Sequence, residues 1–125
     1  MITFRKLLTN SISTTEKHIS PLDDWFYRII DIPISNLSIE DICRAIRQKL
    51  FLETILPNAR NILKDDPLAG EFYDGELIAA IASLSSDNIE QNIEIINEIK
   101  AILTSLDISE QSKDLQQDIL KIMSY

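Results

Sequence analysis

The sequence predicts an all-α protein, a single irregular antiparallel bundle of about five to seven helices. Three observations carry that expectation. Apolar residues recur at spacings of three and four along most of the chain, the period of a helix with one buried face. Only 2 glycines and 4 prolines are present, too few for the many tight turns of an all-β protein. Isoleucine occurs 23 times and valine never, so β-branched content here reflects a codon bias and gives no argument for strands.

The elements follow in order. Residues 1–20 are open: a helix, a strand or a loose arm. Leu22 to Ile30 carries Trp25, Phe26, Ile29 and Ile30, a short helix that Pro33 ends. Ser38 reads as the N-cap of a strong helix whose Ile39, Ile42, Cys43, Ile46 and Leu50 fall on one stripe, with Arg44, Arg47 and Lys49 off it. Leu56 to Leu63 is a shorter helix, interrupted or started by Pro57. Asp66-Pro67 reads as an N-cap followed by a first helical residue, and Asp74-Gly75-Glu76 opens the helix of Leu77, Ile81 and Leu84. Residues 87–105 form the clearest helix, capped by Asp87, with Ile89, Ile93, Ile96, Ile99, Ile102 and Leu103 as a continuous apolar face. Ser109 caps a last helix over 109–123 that turns Leu115, Ile119 and Ile122 inward.

At 125 residues, with 45% hydrophobic and 26% charged, the chain is the size of one domain, residues 1–125, and can bury a core without a disulfide or metal staple. Arg5 and Lys6 are followed only by Leu7 and Leu8 before Thr9, Asn10 and Ser11, which is no signal-peptide core. No apolar run approaches the ~18 residues of a membrane span. A cytoplasmic protein is the expectation.

Charge is unevenly spread. Residues 1–64 carry a net +2 and residues 65–125 a net −10, within a total of −8. An acidic half of that size disfavours nucleic acid and anionic membranes as partners and favours a protein with a cationic patch. Solubility is the plain alternative use of the same charge.

The candidate chemistry is thin. A single cysteine and a single histidine exclude a disulfide and the common zinc sites, and no cofactor is expected. Cys43 lies on an apolar stripe and reads as a packed thiol; His18, beside Glu16 and Lys17, reads as a surface residue. Both glycines fall in Asp65–Leu77, where counting from Asp65 puts Gly70 at position 6 and Glu76 at position 12 of a calcium loop. Pro67 and Ala69 stand where oxygen ligands are needed, so that reading fails. Glu71 and Asp74 share a helical spacing, but paired carboxylates are common in so acidic a chain, and no nucleophile elbow or phosphate loop is present. Glu90, Glu94 and Glu98 repeat every four residues, where like charges repel and only Lys100 is near to relieve them. A complementary basic surface would make use of that stripe.

The run Cys43-Arg44-x-Ile46-Arg47, then Leu56-Pro57-x-Ala59-x-x-x-Leu63-x-x-Asp66-Pro67-x-x-Gly70-Glu71-x-Tyr73-Asp74-Gly75-Glu76-Leu77, resembles the immunity proteins of bacterial contact-dependent growth inhibition (CDI) systems, in their small helical subfamily. The likeness spans residues 24–84. It implies a cytoplasmic antitoxin without enzymatic activity that binds, in a 1:1 complex, the C-terminal toxin domain of an exoprotein delivered by neighbouring cells. It also implies that the toxin's active site or substrate channel is blocked. Many such toxins are nucleases with basic channels, which an acidic inhibitor suits. The motif does not say which acids touch the toxin. The candidates for partner contact are Asp65, Glu71, Asp74 and Glu76, with Glu90, Glu94 and Glu98 as a second surface and Tyr73 as an aromatic anchor or a buried residue. Phe72 and Leu77 are expected in the core. The competing function is an acidic helical adaptor that docks on some other basic protein.

Overall fold

Every regular element among the described residues, 2–9 and 21–125 of a computed structural model, is helical. In chain order these are α1 (Phe4–Thr9), α2 (Pro21–Ile29), α3 (Ile39–Arg47), α4 (Leu52–Asp65), α5 (Glu76–Ala82), α6 (Ser86–Gln91), α7 (Ile93–Leu103) and α8 (Lys113–Met123), with single 3₁₀ turns at Ile34–Asn36 and Ile108–Glu110. His18 and its neighbours lie outside the described residues. The count exceeds the expected five to seven because α1 forms in the stretch left open and because the helix expected over 87–105 is two.

The chain divides into two units, Met1–Leu37 and Ser38–Tyr125. In the first, Arg5 pairs with Asp31 through Nε–Oδ1 at 2.6 Å and Nη2–Oδ2 at 3.1 Å, and the Arg5 amide donates to the Ile30 carbonyl. The guanidinium holds the Asp31 carboxyl below its ordinary value by hydrogen bonding. Phe4, fully buried, meets Phe26 at 5.3 Å between ring centroids, a tilted aromatic contact.

In the second unit, α5 is buried almost all round: Leu77, Ile78, Ala80, Ile81 and Ala82 are all in the core. It packs against α3 on one side and α8 on the other; α3 also meets α4, α4 meets α7, and α7 meets α8. The five helices thus close a ring of contacts, with α6 laid against α7. Small residues on α5 let its neighbours approach closely, and a helix that is apolar on every face belongs inside.

Local chemistry explains the boundaries. Ser38 caps α3 as expected, its hydroxyl accepting from the Asp41 amide. That helix ends in a Schellman turn built on Lys49, at φ 59°: the Leu50 amide reaches the Ala45 carbonyl and the Lys49 amide the Ile46 carbonyl. Leu50 is therefore past the helix. α4 starts at Leu52, behind Phe51 at φ 45°, so Pro57 lies inside a 14-residue helix and neither starts nor interrupts it. The cost is one lost N–H donor, toward the Glu53 carbonyl. Asp66 closes α4 instead of opening a new helix: its Oδ1 accepts from the Leu68 amide, an Asx turn around Pro67.

α6 and α7 meet at Asn92 and are not one continuous helix. The Asn92 side-chain amide donates to the Asn88 carbonyl at 2.9 Å, a bond of the kind that Asn58 makes to Thr54 inside the unbroken α4. The Asn92 backbone amide turns to Ile89, and Asn92 leaves helical geometry at φ −123° and ψ 29°. Ile93, just past the break, is exposed and drops out of the expected apolar face, while Ile89, Ile96, Ile99 and Leu103 keep it. Two caps also shift. Ser85 with Asn88 forms a capping box at α6, leaving Asp87 in the first turn. Ser112, not Ser109, caps α8 by accepting from the Leu115 amide, and Ser109 sits in the 3₁₀ turn held by Asp107.

The cap assignment is testable by urea unfolding. Ser112→Ala is expected to lower stability by about 1 kcal/mol, and Ser109→Ala by clearly less; equal losses would restore the cap to Ser109.

Candidate functional site

Between α4 and α5 the chain makes a closed loop over Asp66–Gly75. Its neck is shut by two backbone bonds, Gly75 amide to Leu68 carbonyl at 2.9 Å and Leu77 amide to Ala69 carbonyl at 3.1 Å. Ends that meet in this way define an Ω-type loop, ordered by its own contacts.

A carboxylate holds the loop from beneath. Glu76, only 2% exposed, turns Oε1 back to accept from the Glu71 amide at 2.9 Å and the Phe72 amide at 3.2 Å. A buried charge needs hydrogen-bond partners, and two backbone donors at the first residue of a helix supply them. Glu76 therefore presents no face to a partner, which corrects its place among the contact candidates. Glu71 is also engaged: its Oε2 accepts from the Glu40 amide at 2.7 Å. That amide is in the first turn of α3, so one helix end is satisfied locally by Ser38 and remotely by Glu71.

Both glycines are dictated by close approach. A Cβ on Gly70 would lie 2.0 Å from the Tyr73 carbonyl oxygen and 2.8 Å from the Glu76 Cβ. Gly75 has φ +87° and its Cα faces Leu115 of α8, whose Cδ1 a Cβ would meet at 2.8 Å. The loop is thus tied to α3, to α5 and to α8.

What the loop displays is its tip. Phe72 is 71% exposed and Tyr73 is 54% exposed. Phe72 is not in the core: with Glu76 beneath, the backbone of residues 71 and 72 faces inward and the ring is left outside. Leu77 is fully buried as expected. Asp74 is exposed beside Tyr73, and Asp65 is exposed at the end of α4. Next to the tip runs a groove of about 400 Å³ whose walls include Tyr73 and Asp74 on one side and Asp114, Gln117 and Asp118 of α8 on the other. Asp118 is held above the ordinary carboxylate value, first by burial and then by Asp114, with Lys121 pulling it back. Asp114 and Asp118 went unmarked in the sequence, although their spacing of four is the signal that marks Glu90, Glu94 and Glu98.

Those three glutamates do not form one stripe. Glu90 is on α6, Glu94 and Glu98 on α7, with the Asn92 break between them. Glu98 is neutralised by Arg60 of α4 in a cross-helix ion pair. Lys100 is turned away, its Nζ donating to the Tyr125 backbone oxygen. Glu90 and Glu94 remain as exposed charge.

Cys43 is fully buried on α3, and burial, then the Glu76 carboxylate, pushes its thiol up to about 12. A thiol is expected to stay protonated there, so a disulfide reagent such as DTNB at pH 8 should label it only on unfolding; rapid labelling of the native protein would contradict the packing. Glu76→Ala should cost about 1–3 kcal/mol, because two partly buried amides lose their acceptor. Glu76→Gln keeps one acceptor oxygen and should cost less. Denaturant unfolding, with hydrogen exchange at the Glu71 and Phe72 amides, reads both.

A family model described as CDI immunity proteins matches residues 6–99, which includes α3, α4, the loop, α5 and most of α7. No curated protein matches the chain. With the family model covering most of its length, the chain belongs to the CDI immunity proteins.

Proposed function

We propose that this immunity protein neutralises a nuclease toxin domain by occupying its basic active site or substrate channel in a 1:1 cytoplasmic complex, with no chemistry of its own. Family membership carries the coarser part, the binding of a cognate CDI toxin. The observation that supports the finer part is charge. The half of the chain from Asp65 onward is net −10, and its exposed carboxylates include Asp65, Asp74, Glu90 and Glu94. A nuclease channel is lined with cations that bind phosphates, and a protein surface of opposite sign competes for them. Such a surface also steers encounter, raising the association rate at low salt.

Two roles separate within that surface. Exposed charges on helix faces, such as Glu90 and Glu94, act at long range on the rate of encounter and are screened within a Debye length of about 10 Å at 0.1 M salt. Charges desolvated at the centre of the interface act on the lifetime of the complex. In this reading Asp65, Glu90 and Glu94 take the first role and Asp74 takes the second.

Co-expression with the toxin domain encoded beside its gene is the direct test: cells should survive with this protein present and lose viability without it. In binding kinetics the association rate should fall steeply as salt rises. Glu90→Gln with Glu94→Gln should slow association several-fold at low salt and leave dissociation unchanged. A salt-independent association rate would remove the electrostatic part of the proposal while leaving protection standing.

A further inference from the structure

We infer that Phe72 and Tyr73 are the docking anchor for the cognate toxin domain, and that an arginine-bearing segment of that domain seats in the groove between Tyr73 and α8. The inference rests on the toxin-binding reading above and names the surface that does the binding.

Exposure alone is a weak argument, since single apolar residues on a surface are ordinary. Here two adjacent aromatics stand outside on a loop that has lost its freedom. The neck bonds at Gly75 and Leu77 fix its ends, Glu76 fixes the backbone at residues 71 and 72, and Glu71 ties it to α3. Ordering an interface loop on binding normally subtracts from affinity, and a loop already held in place avoids that loss. Aromatic anchors bring large contact area for few rotatable bonds, which is why hot spots are rich in them.

The groove specifies what comes with the anchor. Three carboxylates line it, from Asp74, Asp114 and Asp118, and no lysine or arginine does. An arginine side chain entering there meets carboxylates that accept its planar fork, and its guanidinium can lie over the Tyr73 ring. Gln117 on the same wall offers a further polar contact. The known class of partner, a protein toxin, and the sign of the groove therefore agree on one occupant. Glu90 and Glu94 lie outside the anchor and keep the steering role.

The test uses the full chain and an inactivated form of the toxin domain encoded beside its gene. Phe72→Ala with Tyr73→Ala should weaken binding at least about thirtyfold, chiefly through faster dissociation, with an unchanged melting temperature because both rings are exposed. Asp114→Asn with Asp118→Asn should weaken it by about tenfold. In hydrogen exchange, residues 71–75 and 112–118 should gain protection in the complex. If the wild-type chain binds and protects while the aromatic double variant binds within threefold of it, or protection falls elsewhere, the docking inference is overturned and the immunity reading stands. If the wild-type chain does not bind, the immunity reading itself fails and the inference falls with it. A concentration-dependent dimer of the free protein, abolished by the aromatic double variant, would assign the patch to a second copy of this chain and overturn it as well.

Discussion

A carboxylate taken out of water organises this protein's central loop. Glu76 sits at the first residue of α5, the most deeply buried helix, and turns back to accept from two amides of the loop that precedes it. Helix position and loop shape are thereby set by the same side chain. Without an acceptor at that point, the partly buried amides of Glu71 and Phe72 would lose their partner. The glycines, the Asx turn at Asp66 and the neck bonds are the geometry that lets one carboxylate reach so far.

The ring of helices supplies the support. α5 touches α3 and α8, and the loop does too: Glu71 reaches the first turn of α3, and Gly75 lies on Leu115 of α8. Loop and core are consequently fastened at the same two neighbours. Loops that carry recognition on well-packed domains are commonly held by the scaffold in this fashion, with the variable chemistry confined to their tips. Of the acids at the loop, Asp66, Glu71 and Glu76 are internal fastenings, and Asp74 is on display.

Helical content and most helix positions were legible because periodicity and caps are local signals. The stripe of Ile42, Cys43 and Ile46 needs no knowledge of the rest of the chain to be recognised as one face. What was not legible depends on partners distant in sequence. Nothing local distinguishes Glu76 from Glu71 or Asp74; burial follows from the loop's return, and only that return turns one acid inward. The same event put Phe72 outside, against its hydropathy. Asn92 leaves helical geometry at φ −123° and ψ 29° in a sequence neighbourhood that is otherwise a good helix. Glu98 found Arg60, 38 positions away, which no spacing rule within α7 could supply. The long-range acidic excess was plain from composition, while the groove beside Tyr73 required α8 to be laid against α5.

The contact between Gly75 and Leu115 separates two kinds of information in the chain. Residues whose identity the scaffold dictates (Gly70, Gly75, Glu76 and Leu115) have their side chains or their missing Cβ directed inward. Phe72, Tyr73 and Asp74 have their side chains exposed, and the bonds that hold the loop at Phe72 and Tyr73 use backbone atoms alone. Three neighbouring codons can therefore be rewritten with little thermodynamic penalty to folding. Folding stability thus places little demand on the three side chains at the tip, while it dictates the residues directly beneath them.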